Sequence, residues 1–251
     1  MNPENKSYVS IHIPRTGGTS LREFFPRLFG PENTYFYYPN MGGLFRSDNQ
    51  PVHFVQFNPR MQKLRDLMLY SKPGQLLYSD LYEVLNMLRK DRKITLPDGG
   101  KIIHGHFRPS RIELHNHLLI TVVRDPLERT KSHYRWINQA IEEGLKSPAT
   151  YWFNPQMTFE DFALSERLVN FQAKWIGSNL DQFHHVGITE NIDKYVAQLT
   201  PTGNNLLLNR LNCFERTIEI STSSQFLEKF KQIYKDDYNI YNEAMSRIHP
   251  H

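Results

Sequence analysis

The stretch SIHIPRTGGTSLREFF, residues 10–25, places a β-branched segment, a turn with two glycines and a helix-forming segment in immediate succession. Gly17 and Gly18 can adopt the backbone angles of a tight turn. Backbone N–H groups from Thr16 to Ser20 would then converge at the N-terminus of a helix, where the helix dipole favours an anion. The stretch predicts a strand, an anion-binding loop and a helix; an ordinary strand–turn–helix connection is the alternative.

The side chains of this loop indicate which anion it binds. Arg15 adds a fixed positive charge, and the hydroxyls of Thr16, Thr19 and Ser20 add hydrogen-bond donors. The loop lacks the Gly-Lys-Ser/Thr ending with which ATP- and GTP-binding loops hold their phosphates. It therefore predicts an anion other than a nucleoside triphosphate.

A second motif, VVRDPLERTKSHY, covers residues 122–134 and follows the apolar run LLITVVR at 118–124. The run is typical of a central parallel strand. Asp125 fits a helix N-cap, with Pro126 at the first helical position and Glu128 completing a capping box. Arg124 then lies at the C-terminal end of a buried strand, where open α/β sheets bind ligands, and Ser132 lies about two turns into the helix. A surface arginine and a solvated serine are the alternative.

The third motif is HGH, at the end of the run KIIHGH, residues 101–106. If this run is extended, His104 and His106 point to the same face of the sheet. A general base, a buried structural pair and a metal site are the competing interpretations. The sequence offers no further cluster of metal-ligating residues beside them, so we predict no metal.

The order of elements along the chain predicts an α/β fold with a mostly parallel sheet and a single domain spanning residues 1–251. Beyond the three motifs, we predict a strand at HHVGITE and a long irregular excursion at 31–60 that folds over a ligand. The predicted helices are 18–25 (ended or kinked by Pro26), 60–71, 74–91, one from Pro126, 159–176, 191–199 and 223–247.

The composition of the chain excludes several classes of protein. A net charge of +4 over 251 residues suits an anionic ligand but is too small to indicate nucleic acid. Cys213 is the single cysteine, which excludes an intrachain disulfide and fits a reducing compartment. No signal peptide and no run of about twenty apolar residues is visible. We therefore predict a cytoplasmic protein without a membrane anchor; nothing in the sequence indicates its oligomeric state.

Together the three motifs resemble those of sulfotransferases that use 3′-phosphoadenosine 5′-phosphosulfate (PAPS). The chain looks most like the branch of the heparan sulfate and dermatan/chondroitin 2-O-sulfotransferases and their bacterial relatives. The likeness continues in NFQAKWIG and VGITENIDKYVAQL. It implies a P-loop-type α/β core whose cleft, at the C-terminal edge of the sheet, binds PAPS; the product is PAP (3′-phosphoadenosine 5′-phosphate).

The resemblance also implies roles for individual residues. HIPRTGGTSL would bind the 5′-phosphosulfate, Arg124 and Ser132 the 3′-phosphate, and HGHF would supply the base. We expect His106 to take the acceptor's proton, with His104 assisting. The chain departs from the family at Arg15, where lysine is usual; arginine stays charged and acts only electrostatically. A departing phosphate needs charge stabilisation more than a proton, so arginine remains workable.

The sequence therefore predicts transfer of a sulfuryl group to a hydroxyl of a carbohydrate or small metabolite. Two alternatives remain. A nucleotide or small-molecule kinase would share the fold, but it would show Gly-Lys-Ser/Thr and carboxylates for Mg²⁺. An inert glycan- or nucleotide-binding module would keep the cleft without the chemistry.

Overall fold

The computed structural model describes residues 6–38, 43–48, 51–54, 94–109, 117–145, 150, 152–200, 206, 208 and 219–248. The predicted helices at 60–71 and 74–91 lie outside these residues. Element labels below count the strands and α-helices of the described part in chain order.

Seven strands form one sheet in the order β4-β3-β2-β5-β1-β6-β7. The strands are β1 (Ser7–Ile11), β2 (Thr34–Tyr38), β3 (Gly43–Arg46), β4 (Pro51–Phe54), β5 (Ile102–Gly105), β6 (His117–Val123) and β7 (His185–Ile188). Five of them, from β2 to β7 along the sheet, pair in parallel, and β3 and β4 extend one edge antiparallel. The mostly parallel α/β fold predicted from the sequence is therefore confirmed.

Helices cover both faces of the parallel strands. They are α1 (Gly18–Phe29), α2 (Pro126–Glu142), α3 (Phe159–Ala163), α4 (Phe171–Ile176), α5 (Ile192–Leu199), α6 (Ser224–Ile233) and α7 (Lys235–Ile248), with short 3-10 turns at Pro31–Asn33 and Thr189–Asn191. None of these helices has the length and apolar character needed to cross a bilayer.

The alternation of side chains along the strands divides the apolar core between the two faces. On β6, Leu119 and Val123 pack on the face that α4 and α7 cover, whereas Ile120 and Val122 pack on the face of α1 and α5. Burial of both faces explains why the central strands are almost wholly apolar. A separate aromatic cluster around Phe162 and Phe230 joins α2, α3 and α6.

Helix α1 is longer than predicted, since it continues through Pro26 to Phe29. A proline inside a helix removes one backbone hydrogen bond. Aromatic packing holds the last turn in place: the ring of Phe29 lies 6.1 Å from that of Phe25 and 5.5 Å from that of Tyr8. The prediction that Pro26 ends the helix is therefore wrong, and its alternative, a kink at Pro26, stays a prediction.

The prediction of an irregular excursion at 31–60 is also wrong for the described part of that range. Strand β2 pairs with β5 on one side and β3 on the other, and β4 pairs with β3. Buried Tyr35, Phe36 and Tyr37 on β2 show why. Aromatic residues favour a half-buried sheet surface even where the sequence has no clear alternation.

Two predicted long helices are each divided in two. Between α3 and α4, Asn170 adopts a left-handed conformation with φ 50°, which an α-helix interior does not allow. Between α6 and α7, Tyr234 leaves helical geometry, its ring stacks on Phe230 at 3.9 Å, and its hydroxyl donates to the carbonyl of Ala163 at 2.7 Å. Both breaks depend on tertiary contacts that helical periodicity does not reveal.

Candidate active site

The parallel strands bring the three sequence motifs to one edge of the sheet. The loop after β1 carries Arg15, the residue after β5 is His106, and Arg124 follows β6. Since β5, β1 and β6 are neighbours and point the same way, their C-terminal ends lie side by side. This is the edge at which open α/β sheets bind ligands.

The loop after β1 turns sharply before α1 begins. Arg15 and Gly17 both have left-handed backbones, with φ 73° and φ 87°. The Thr16 hydroxyl donates to the carbonyl of Ile13 at 2.9 Å, so its proton serves the turn itself. Thr19 is exposed and Ser20 is buried within the first turn of α1. The helix therefore starts as predicted, with Gly17 at its N-cap.

Gly18 is fixed by a side chain that the sequence analysis did not single out. A Cβ at this position would overlap the imidazole ring of His12. His12 is the first residue after β1, and its ring packs directly over the start of α1. The second glycine of the loop is therefore required by a close approach between a histidine and the helix backbone.

Three histidine rings form a stack beside the loop, which we call the histidine stack: His12, His104 and His106. The centroid of the His12 ring lies 4.2 Å from that of His106 and 5.1 Å from that of His104. The two histidines of the HGH motif thus both contact His12, the residue that follows β1. In the described part of the chain, no group of three His, Cys, Asp or Glu side chains is arranged to hold a metal ion.

His106 has the geometry of a neutral base. Its Nδ1 lies 2.8 Å from the backbone carbonyl oxygen of His12. A carbonyl can only accept, so Nδ1 carries the proton and Nε2 keeps its lone pair. Burial lowers the pKa of His106 below its usual value, although the bond to His12 opposes the shift. The ring is therefore neutral at physiological pH.

His104 lies deeper than His106. It is 3% exposed, and its Nδ1 is 2.9 Å from the hydroxyl of Ser10 on the neighbouring strand. Burial, reinforced by the nearby His106, lowers the pKa of His104 to about 3. This ring is suited to filling space as the buried member of the stack rather than to exchanging protons with a ligand.

Arg15, Arg124 and Ser132 meet next to the loop. The guanidinium of Arg15 donates from Nε and Nη2 to the Ser132 hydroxyl, each at 3.2 Å. Arg124 donates from Nη1 to the backbone carbonyl of Arg15 at 3.3 Å. The sequence analysis assigned Arg15 to one phosphate and Arg124 with Ser132 to another, whereas here all three residues form one group.

A third arginine, Arg129, adds to this positive group. Its side chain is 0% exposed, and within the described part of the chain its Nε, Nη1 and Nη2 atoms have no hydrogen-bond partner. Its guanidinium lies 4.4 Å from the ring centroid of Phe171. Burial, with repulsion from Arg124 and Arg129, lowers the pKa of Arg15 to about 10. Such a concentration of buried positive charge fits an anionic ligand.

Acidic groups lie near two of these arginines. Asp237, which is 0% exposed, attracts the Arg129 guanidinium and opposes the lowering of its pKa by burial. Glu190, in the turn after β7, has its Oε1 3.8 Å from Arg124 Nε and accepts from the Asp125 N–H at 3.4 Å. Burial raises the pKa of Glu190.

Asp125 serves as the predicted N-cap of α2, accepting from the Glu128 N–H at 2.9 Å. The predicted capping box is wrong, because the Asp125 N–H donates to Glu190 and the Glu128 carboxylate pairs with Lys131 instead. The N-cap alone fixes the start of α2, the helix that carries Ser132.

Comparison with known proteins adds little to this geometry. No protein-family model matches the chain, and no curated protein matches it. Among solved structures, the chain aligns with the crystal structure of a sulfotransferase from Alicyclobacillus acidocaldarius. The alignment covers 96% of each chain at 10% identity, with a TM-score of 0.38.

Proposed function

We propose that this chain is a PAPS-dependent sulfotransferase that moves a sulfuryl group to a hydroxyl of a carbohydrate or small metabolite. One observation carries the proposal: the arginine group and the histidine stack are joined by the short segment from His12 to Arg15. The segment begins at His12, whose carbonyl binds the neutral base His106, and ends at Arg15 in the proposed anion site. The motif resemblance to the 2-O-sulfotransferase branch supports a carbohydrate hydroxyl as acceptor.

The residues at the sheet edge suit the two charged ends of PAPS, which when bound supplies an activated sulfuryl group. The amides from Thr16 to Ser20 and the start of α1 would hold the 5′-phosphosulfate. Arg124 and Ser132 would hold the 3′-phosphate, which distinguishes PAPS from nucleotides without that group. The repulsion that Arg124 and Arg129 exert on Arg15 supports a site that is completed by negative charge.

His106 would act as the general base. The lone pair on its Nε2 can accept the proton of the acceptor hydroxyl as that oxygen attacks, while Nδ1 stays bonded to the His12 carbonyl. The carbonyl then also stabilises the imidazolium that forms, as a carboxylate does for other catalytic histidines.

Arg15 would stabilise charge that develops on the leaving phosphate. A positioned charge that needs no reorganisation during the reaction is an effective source of catalysis. Its bonds to Ser132 give the guanidinium a defined position before a ligand arrives.

Calorimetric titration with PAP, AMP and ATP tests the proposal. PAP should bind at least about tenfold more tightly than AMP, because charge-assisted hydrogen bonds to the 3′-phosphate contribute about 1.5–3 kcal/mol. Mg²⁺ should not be needed. Arg247→Ala, which removes an arginine paired with Asp181 and Glu243, is a control for the loss of positive charge alone.

The outcomes separate the candidate functions. Tight Mg²⁺-dependent binding of ATP with indifference to the 3′-phosphate would favour a kinase and contradict the proposal. Tight PAP binding without transfer from labelled PAPS to any hydroxyl in a broad acceptor screen would favour an inert binding module. Discrimination for PAP together with transfer to a hydroxyl would support a sulfotransferase.

A further inference from the structure

The backbone of Arg124 is held by one buried side chain on another element. Gln172, in α4, accepts the Arg124 N–H with Oε1 at 2.9 Å and donates from Nε2 to the Arg124 carbonyl at 2.9 Å. Gln172 is 0% exposed. Both polar groups of the arginine's main chain are therefore paired with one amide.

This pairing replaces a missing strand neighbour. Strand β6 ends at Val123, one residue before Arg124, and buried backbone groups need partners where a ladder ends. A glutamine amide carries one donor and one acceptor, so it can bind both groups at once. Because the peptide groups on either side of Arg124 are fixed, the direction in which its side chain leaves the backbone is also fixed.

Gln172 is itself held in a rigid position. Gln172 is the second residue of α4. The N–H of the following residue, Ala173, donates to Asp237 Oδ1 at 2.8 Å. Asp237 is 0% exposed and lies in α7, and its own N–H donates to Asn170 Oδ1 at 3.3 Å. The start of α4 is therefore pinned to the C-terminal helix.

We propose that Gln172 is a positioning residue of the anion site, acting through Arg124. This inference rests on the proposed function, in which Arg124 meets the 3′-phosphate. The clamp holds the arginine in place before the ligand arrives, which removes an ordering cost from binding. Arg124 in turn donates to the carbonyl of Arg15, in the loop after β1.

The test uses Gln172→Met, which keeps the side chain's length and removes both hydrogen bonds. Affinities for PAP, AMP and inorganic phosphate are measured by calorimetry, and folding is followed by thermal melting. We expect PAP and inorganic phosphate to bind about tenfold more weakly, in line with two lost hydrogen bonds. AMP binding should change by less than about threefold, since AMP lacks the group that Arg124 meets.

Gln182→Met is the matched control. Gln182 also uses a side-chain amide to bind backbone, donating from Nε2 to the carbonyl of Ile176 at the other end of α4 at 2.9 Å. It should lower the melting temperature without changing the ratio of PAP to AMP affinity. Gln172→Glu is a second variant: it keeps the acceptor, loses the donor and adds a negative charge, so it should weaken the binding of PAP and of inorganic phosphate.

Each result bears on the proposal. Wild-type affinity for PAP and phosphate in folded Gln172→Met would overturn it, as would an equal loss of PAP and AMP. If the wild-type protein does not distinguish PAP from AMP, the proposed function fails. The positioning role is then decided by inorganic phosphate alone: weaker binding in Gln172→Met than in Gln182→Met supports it, and equal binding overturns it.

Discussion

The ring of His106 donates its Nδ1 proton to the backbone carbonyl of His12, 2.8 Å away, and the two rings stack with centroids 4.2 Å apart. His12 leads directly into the loop after β1. The tautomer of the candidate base is thus set by the same segment that shapes the proposed anion site. A displaced loop would therefore disturb both anion binding and the base.

His106→Ala should lower the rate of sulfation by about a hundredfold or more, the usual contribution of a positioned base. His104→Ala should be milder, because His104 is the buried member of the histidine stack and is bonded to Ser10. Single-turnover transfer from labelled PAPS at saturating cofactor measures both effects. His185→Ala, at the N-terminal end of β7 and hence at the opposite sheet edge, is the histidine control. A dead His104 variant beside an active His106 variant would reverse the assignment.

The pH dependence of transfer should show a base with a lowered pKa. Burial lowers the pKa of His106 below the usual 6.5. The base works only when neutral, so activity is complete above this pKa and is lost as the pH falls through it. The acid limb of the single-turnover rate should therefore lie below pH 6.5. An acid limb above pH 6.5 would contradict the role of His106. An acid limb that persists in His106→Ala would contradict it as well.

Arg124→Ala and Arg15→Ala should affect different steps. Arg124 would touch a phosphate that does not change during the reaction, so its loss should weaken PAP binding by about tenfold or more. Arg15 would face charge that develops as the sulfuryl group leaves, so its loss should mainly lower turnover. Arg247→Ala controls for net charge. Equal losses of PAP affinity with turnover intact at saturation would rule out this division.

Gly18→Ala should destabilise the fold by about 1–3 kcal/mol, as overpacking typically does. The reason is the overlap between an added Cβ and the His12 ring. Denaturant unfolding of both the single variant and His12→Ala/Gly18→Ala measures it. The loss of unfolding free energy caused by Gly18→Ala should be smaller when His12 is alanine than when the His12 ring is present. Strict additivity of the two changes would show that the ring does not limit position 18.

The sequence reveals those parts of the site that depend on local signals. Asp125 and Pro126 predict the start of α2 because capping is a property of a few adjacent residues. The roles of His12 and Arg129 are not predictable in this way. Each depends on what a distant element brings beside it: the HGH strand for His12, and Phe171 and Asp237 for Arg129. His12 and His106 are a usable signal only once the strands that they follow, β1 and β5, are known to be neighbours.

The fold shows the same division between local and distant effects. The parallel strands can be predicted from the sequence because their buried runs are β-branched and continuous, as in β6. The break at Tyr234 cannot be predicted, because the apolar spacing of a helix continues across it. The break depends on the Tyr234 hydroxyl, which donates to the carbonyl of Ala163. Aromatic packing likewise outweighs Pro26 in α1.

The left-handed backbone of Arg15 implies a compromise between stability and activity. An L-residue with a side chain costs about 1–2 kcal/mol in this conformation, and asparagine tolerates it better. The lowered pKa adds a second penalty, since the folded protein disfavours the charged form of Arg15 that exists at neutral pH. We therefore expect Arg15→Asn to unfold at a higher denaturant concentration than wild type while losing turnover. Because the proposed ligand would offset the cost of holding Arg15 in this position, PAP should raise the melting temperature of the protein.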